Sequence, residues 1–369
     1  MTEFFSLTDD LGPAKVIHIS NAEAGLKAIV VIDNIAAGPS IGGTRMAPDV
    51  TLDECMRLAR AMTLKNAAAG LPHGGGKSVI MADPDMPAAQ KEGLMRAFAD
   101  AIAGIADYIP GPDMGTNEVC MGWVLSETGR AVGLPRVLGG IPLDEIGATG
   151  YGISVAAQAA EPFCDVTLKG ARVAIQGFGA VGTHAALCLQ DLGAKLVAVS
   201  DSHGTVRNPE GLPLADLIAL KQRHRSVTAL PGADTVAEEA AITADCDILI
   251  PAARPDAIHP GNAAGVKARL ILEGANIPAS AEIEKDLHDR GVMIVPDFIA
   301  NAGGVICAAV EYQGGLESQA MQVIGDKIAL NTREVLTRAR DKGVMPRDAA
   351  TEMAAERVKQ AMALQRRFG

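Results

Sequence analysis

Ala171-Arg172-Val173-Ala174-Ile175-Gln176, followed directly by Gly177-Phe178-Gly179-Ala180-Val181-Gly182, is the stretch on which the fold turns. The first six residues form a short apolar run of the kind found in buried strands. The glycine pattern then opens a helical segment that runs through Leu192 to a stop at Gly193. A second strand, Lys195–Ser200, ends in Asp201. Gly-x-Gly-x-x-Gly alone is a weak signal. Here it follows a strand, opens a helix and is answered by an acid about 20 residues on, as a dinucleotide-binding turn requires. The helix N-terminus would carry a pyrophosphate, and Asp201 could bond the adenosine ribose hydroxyls.

Further apolar runs at Ile248–Pro251, Leu270–Leu272 and Met293–Val295 alternate with polar or helical segments. This pattern predicts a doubly wound parallel sheet covered on both faces. Ligands of such sheets bind beyond the carboxyl ends of the strands. Glu273-Gly274-Ala275-Asn276 and Pro296-Asp297-Phe298 lie at those ends, which makes Asn276 a candidate neighbour of the nicotinamide. Asn301-Ala302-Gly303-Gly304 opens a further helix, and long helices are expected over about Gln319–Lys342 and Arg347–Arg367. Upstream, the Gly- and Pro-rich sequence between about Gly129 and Gly152 reads as a hinge and cleft.

The part before that hinge holds the chemistry. Lys65 to Ser78 reads Lys-Asn-Ala-Ala-Ala-Gly-Leu-Pro-His-Gly-Gly-Gly-Lys-Ser, a loop with little side-chain bulk and a lysine near each end. Such a loop lets a small molecule approach the backbone. Lys65 and Lys77, if paired and partly desolvated, would each lower the other's pKa toward the working range of a base. The loop is no NTPase phosphate loop, because the first glycine of that motif would fall at Leu71. A surface loop with solvated lysines is the competing reading. Thr51 and Glu54 form a capping box for a helix that runs into Lys65 and mounts it on a rigid end. Gly38–Arg45 is a second glycine-rich stretch where backbone comes close to something. In Tyr108–Asn117, Asp113 by itself reads as a turn aspartate. A catalytic role requires that it face the lysines.

At 369 residues the chain is long enough for two domains, and 48% hydrophobic with 21% charged residues describes an ordinary globular protein. A net charge of -11 argues against nucleic acid or an anionic membrane as the main partner. The first ten residues lack a basic region followed by an apolar run, and no segment approaches a membrane span, so a cytoplasmic protein is expected. Six scattered cysteines, without Cys-x-x-Cys pairs, suggest buried thiols and no metal site.

Taken together these motifs resemble the glutamate/leucine/phenylalanine/valine dehydrogenase family. The resemblance rests on Gly42-Gly43-Thr44-Arg45, Met62 to Ala67, Leu71 to Lys77, Gly111 to Thr116, the dinucleotide turn, and Pro296 to Gly304, and spans nearly the whole chain. It implies an α/β fold of two domains. Residues 1–135 and about 330–369 would form the substrate and oligomerisation domain, and residues 136–329 a Rossmann-type dinucleotide-binding domain. It also implies a homo-oligomer. Position by position, Lys65 corresponds to the lysine holding the substrate α-carboxylate, Lys77 to the catalytic lysine, and Asp113 to the carboxylate that exchanges protons with the amino group. The backbone of Gly177, Phe178, Gly179, Ala180, Val181 and Gly182 takes the pyrophosphate, Thr149 and Asn276 lie where relatives contact nicotinamide, and Asn301 is on the substrate side. The reaction implied is NAD(P)-dependent oxidative deamination of an L-amino acid to its 2-oxo acid and ammonia, with domain closure excluding water. NAD is expected over NADP, since Asp201 would repel a 2′-phosphate.

The sequence departs from its glutamate-using relatives where they hold the side-chain carboxylate. Their lysine before Gly-Gly-x-Arg is Ile41 here, and their serine after Asn-Ala-Gly-Gly is Ala308. An apolar pocket of Ile41, Gly42, Met62, Val305 and Ala308 is expected, suited to leucine, valine, isoleucine, methionine or phenylalanine, with space at Gly111 and Ala308 favouring leucine or phenylalanine over valine. Two other readings compete. A hydroxy-acid dehydrogenase would need His73 as its acid–base group, and a nucleotide-binding regulator without turnover would not need Lys65, Lys77 and Asp113 together.

Overall fold

The structure is a computed structural model that describes residues 8–232 and 234–365. The N-terminal residues read above for a targeting signal lie mostly outside the described residues, as does the end of the helix expected to reach Arg367. The described chain divides into two compact units.

Among the described residues, the first unit comprises 8–142, 305–320 and 351–365. It opens with β1 (Lys15–Asn21), β2 (Leu26–Asn34), β3 (Ser40–Ala47), α1 (Leu52–Ala68) and β4 (Gly74–Met81), followed by α2 (Ala88–Ile102), β5 (Tyr108–Pro112) and α3 (Glu118–Thr128). The strands form one sheet in the order β1-β2-β4-β3-β5. β1, β2 and β4 are antiparallel neighbours, while β3 runs parallel to β4 and β5. Thr51 caps α1 as expected, its hydroxyl accepting from the Glu54 N–H at 3.1 Å, while the Glu54 carboxylate pairs with Arg45. β5 carries two prolines, which an edge strand tolerates. Leu26, Val30, Ile32, Met46 and Ile80 of the sheet pack with Met95, Phe98 and Ile102 of α2 and Met121 of α3.

The structure corrects the loop reading of Lys65 to Ser78. Gly74, Gly75, Gly76 and Lys77 belong to β4, a strand flanked on both sides in the sheet. Their glycines are there for packing. A Cβ on Gly75 would sit 2.0 Å from the Thr63 nitrogen of α1, and one on Gly42 would sit 1.6 Å from the Gly76 carbonyl oxygen. Helix and neighbouring strand reach this backbone only because no side chain intervenes.

The second unit comprises residues 143–304 and 321–350. In chain order its elements are α4 (Ala148–Ala160), β6 (Arg172–Gln176), α5 (Ala180–Asp191), β7 (Lys195–Asp201), β8 (Gly204–Arg207), α6 (Leu214–His224), β9 (Asp234–Val236), β10 (Ile248–Pro251), β11 (Leu270–Leu272), α7 (Ala281–Asp289), β12 (Met293–Val295) and α8 (Asp297–Ala300). The sheet order is β12-β11-β10-β6-β7-β8-β9. The first five strands in that order are parallel, and β8 and β9 are antiparallel additions. This is the doubly wound, Rossmann-type α/β arrangement, and its strand order reverses between β6 and β10. α4 was not legible as a helix. Ten of its thirteen residues are buried, so it is apolar on all sides and shows no amphipathic period.

Three helices complete the chain: α9 (Gly303–Tyr312), α10 (Glu317–Lys342) and α11 (Pro346–Leu364). The expected boundary near residue 330 differs from the division of the described chain. Residues 305–320 and 351–365 group with the first unit, and residues 321–350 with the second. Ion pairs are the physical reason at the later end, where Arg347 meets Glu273, Glu284 and Asp297, all within the second unit.

Candidate active site

Lys77 is 6% exposed on β4, and its ammonium is met by the carboxylate of Asp113, the residue after β5. The strand order explains the meeting. β3 separates β4 from β5, and on β3 Gly43 stands opposite Gly111 of β5. A Cβ on Gly43 would lie 2.8 Å from the Asp113 Cβ. The glycine of β3 thus leaves room for the carboxylate. Burial works to raise the Asp113 carboxyl. The charge and hydrogen bond of Lys77, with help from the Met114 N–H and from Arg45, more than offset it and hold it below its ordinary value. Arg45 approaches Asp113 at 3.5 Å and pairs with Glu54 at 2.5 Å. Arg45 was not read as a site residue, although it closes the Gly42-Gly43-Thr44-Arg45 motif. The pairing expected for Lys77 was with another cation, and the structure gives it a carboxylate.

Below this pair lies a buried polar chain. The Ser78 hydroxyl donates to Thr44 Oγ1 at 2.9 Å and is bonded to the Tyr108 hydroxyl, which reaches the Gly42 carbonyl at 3.0 Å. The Thr116 hydroxyl donates to the Thr44 carbonyl at 2.7 Å. These bonds tie β3, β4 and the turn after β5 together and fix the approach of Lys77 to Asp113. Lys65 lies half-buried in the last turn of α1. His73 is 4% exposed, with Nδ1 3.1 Å from the Pro39 carbonyl and its ring edge-on to Tyr312. Burial lowers its pKa.

Ile41 forms an apolar cluster with Ile109, Val132 and Ala308. Met62 and Val305 are half-buried, on α1 and α9. The free space expected at Gly111 is taken, because Val132 Cγ2 lies 3.0 Å from where a Gly111 Cβ would be. Glu311, which sequence reasoning missed, holds that wall. Its carboxylate is buried and accepts the N–H groups of Leu134 and Ile141 at 3.1 and 2.7 Å. Nothing local in Val-Glu-Tyr signals this, since the partners lie about 170 residues earlier in sequence.

In the second unit Gly177 has φ +99, and a Cβ on it would meet Ala253 of the turn after β10 at 2.6 Å. A Cβ on Gly182 would strike the Gly177 carbonyl at 2.0 Å. Gly179, the residue before α5, has open space where its Cβ would be, so its backbone is free to approach a ligand. Here, at the point where strand order reverses, lies a cavity of about 490 Å³ lined by Gly177, Phe178, Gly179, Asp201, Lys221 and Arg254, among others. Asp201 lies at the end of β7 beside the glycine turn, with its carboxylate already engaged by protein donors. Its carboxylate accepts from Lys221 Nζ at 2.7 Å and from the N–H groups of Val227 and His203 at 2.8 and 2.9 Å. Burial pushes that carboxyl up, and these donors bring it below its ordinary value. Ala180 and Val181 start α5. Asn301 donates to the Asn276 side-chain oxygen at 3.1 Å, and a Cβ on Gly303 would meet the Ala148 carbonyl at 2.2 Å, beside Thr149. The two asparagines are therefore neighbours, with the start of α9 against the start of α4.

The family profile of the Glu/Leu/Phe/Val dehydrogenase dimerisation domain matches residues 13–130, and that of Glutamate/Leucine/Phenylalanine/Valine dehydrogenase matches residues 139–366. The chain belongs to the glutamate/leucine/phenylalanine/valine dehydrogenase family. It is an amino-acid dehydrogenase, and the family works with nicotinamide cofactors. It is 42% identical to a glutamate dehydrogenase of Thermotoga maritima over 77% of this chain and 72% of that one. Among solved structures it is similar to a hetero-hexameric glutamate dehydrogenase of Thermus thermophilus in a Leu-bound form, with TM-score 0.83 and 30% identity over 97% of this chain and 91% of that one. It is also similar to an L-tryptophan dehydrogenase of Nostoc punctiforme, with TM-score 0.79 and 26% identity over 97% and 99% of the two chains. Among the described residues no helix is long and apolar enough to cross a membrane.

Proposed function

We propose that this dehydrogenase oxidatively deaminates an apolar L-amino acid, leucine or a similar aliphatic one, to its 2-oxo acid and ammonia, and runs the reverse reductive amination. One observation carries the substrate class: Ile41, at the position where glutamate enzymes carry a lysine, is packed with Ile109, Val132 and Ala308. Val132 against Gly111 favours leucine over phenylalanine, because an aromatic ring needs the space that this methyl group fills. The relatives named for glutamate make glutamate the second reading. Steady-state assays on leucine, valine, phenylalanine and glutamate with their oxo acids decide between the two, and glutamate as the best substrate would overturn the proposal.

The cavity at the Gly177–Gly182 turn and the open backbone at Gly179 fit the dinucleotide, and the family resemblance puts Asn276 and Thr149 on its nicotinamide side. When bound and oxidised, it accepts the hydride that leaves the substrate Cα. Lys65 holds the α-carboxylate. Lys77 and Asp113 are in contact, so the Lys77 ammonium passes its proton to Asp113 and becomes the free amine that the next step needs. Lys77 takes a proton from the water that attacks the imine carbon, and Asp113 passes protons to and from the departing nitrogen.

The expected NAD preference is weakened by the surroundings of Asp201. Its negative charge is balanced by Lys221, and Glu238 is balanced by Arg254 at 3.8 Å, so the formal charges of these four cavity residues sum to zero. A 2′-phosphate therefore meets no net repulsion, and the chain is expected to use both cofactors with kcat/KM values within about tenfold of each other. A preference of a hundredfold or more for NAD would restore Asp201 as the selecting acid.

We expect a closed homo-oligomer, as residues 13–130 match the family's dimerisation domain and β1 is an edge strand of its sheet. A monomer by sedimentation at micromolar concentration would contradict this.

A further inference from the structure

Arg347, at the start of α11, is a guanidinium surrounded by carboxylates from three other elements. Nη2 donates to Glu273 at the end of β11 at 2.6 Å, Nε to Glu284 of α7 at 2.6 and 2.8 Å, and Nη1 to Asp297 of α8 at 3.0 Å. The three acids are buried, with side chains 1%, 4% and 9% exposed. A buried charge group of this size is costly, and it is weak evidence for stability in itself.

Its geometry points to what it holds. Between the two acids that Arg347 bridges runs Glu273-Gly274-Ala275-Asn276-Ile277, the segment with the nicotinamide-side asparagine. Glu273 fixes its first residue and accepts the Asp297 N–H at 2.9 Å. Asp297 Oδ2 accepts the Ile277 N–H at 3.0 Å and so fixes its last. Ile277 has φ +48, a conformation rare for a β-branched residue, and the residue is 59% exposed. Packing of its own side chain therefore does not enforce that conformation, and strain of this kind persists only where neighbouring bonds impose it. The Asp297 carbonyl also receives the Asn301 N–H at 2.8 Å, and Asn301 donates from its side chain to the Gly274 carbonyl at 3.2 Å and to Asn276 Oδ1 at 3.1 Å.

We infer that Arg347 is a positioning residue for the cofactor: through Glu273 and Asp297 it clamps both ends of residues 273–277 and so sets the Asn276 carboxamide toward the nicotinamide. The inference rests on the reading of Asn276 as a nicotinamide neighbour. Arg347 touches neither substrate nor cofactor in this scheme. A lysine cannot replace it, since a single ammonium lacks the planar fork that engages three carboxylates at once.

The test compares the full-length enzyme with Arg347→Met, Arg347→Lys and Glu284→Gln. Two quantities are read: the Kd of NADPH and NADH by nicotinamide fluorescence, and the KM values for cofactor and amino acid in turnover. Both arginine variants are expected to weaken cofactor binding tenfold or more while the amino-acid KM stays within about twofold. Glu284→Gln, which alters the same charge group away from residues 273–277, is expected to leave cofactor binding within about twofold. Where Arg347→Met gives no soluble protein, Arg347→Lys carries the comparison. Cofactor binding unchanged in a folded arginine variant, or equal losses in Glu284→Gln and the arginine variants, would overturn the inference. The fluorescence measurement does not depend on turnover. A wild type that binds cofactor but oxidises no amino acid would refute the catalytic reading and leave this one standing.

Discussion

Replacing Lys77 by alanine is expected to lower turnover by about 10²–10⁴-fold, the range for loss of a general acid–base group, while cofactor binding in the second unit is unchanged. Lys77 is buried on a strand, and Asp113 is its partner, so the variant leaves a carboxylate without its nearest cation. Arg45 at 3.5 Å and the Met114 N–H at 2.6 Å remain, which keeps the carboxylate from being orphaned and allows the fold to survive. The stability of the variant carries its own pH signature. In the wild type the Asp113 carboxyl lies below its ordinary value, so its contribution is present above about pH 4 and is lost as pH falls through the folded-state value. Without Lys77 the main cause of that lowering is gone. The stability difference between wild type and variant is therefore expected to be largest near neutral pH and to narrow as the medium is acidified below about pH 4. Stopped-flow or steady-state kcat, NADPH fluorescence and chemical denaturation at two pH values measure the three parts. A near-normal kcat would remove Lys77 from the mechanism.

The second large effect concerns the substrate side chain. On the proposal that the substrate side chain lies against Ile41 and Ala308, where glutamate enzymes carry a lysine and a serine, a glutamate γ-carboxylate would meet apolar groups in place of that lysine. Burying an unpaired carboxylate costs several kcal/mol. Each 1.4 kcal/mol is about tenfold, so kcat/KM for leucine is expected to exceed that for glutamate by at least about 10²-fold. The reciprocal change is Ile41→Lys together with Ala308→Ser. It is expected to raise glutamate turnover and to lower leucine turnover, because the new ammonium loses hydration when an apolar side chain fills the pocket. If the wild type prefers glutamate, or if the double variant gains nothing on glutamate, then the γ-carboxylate is held elsewhere.

The sequence by itself determined the fold class, the family and the outline of the chemistry. A strand, a glycine turn and a following acid are local patterns, and each carries its physical reason within a few residues: a buried apolar run, a backbone free for close approach, a helix N-terminus. Lys77 and Asp113 were likewise legible as candidates. Their contact was not, because it depends on β3 lying between β4 and β5, and sheet order is set by long-range packing. The same limit explains the misread run Gly74-Gly75-Gly76. Glycines in sequence signal missing side chains and do not say whether a ligand or a helix fills the space. In this protein the Asn34 backbone fills it at Gly74, Thr63 and its helix at Gly75, and Ser40 with Tyr108 at Gly76. It also explains Asp201, whose position at a strand end was readable, while Lys221 and the Val227 N–H arrive from a helix and a turn 20 and 26 residues away. Arg347 lies 74 residues beyond Glu273, and only the folded chain shows that one guanidinium joins three distant acids. Hydrogen bonds and ion pairs are short in range, so they become visible only once the tertiary fold has brought their partners within reach.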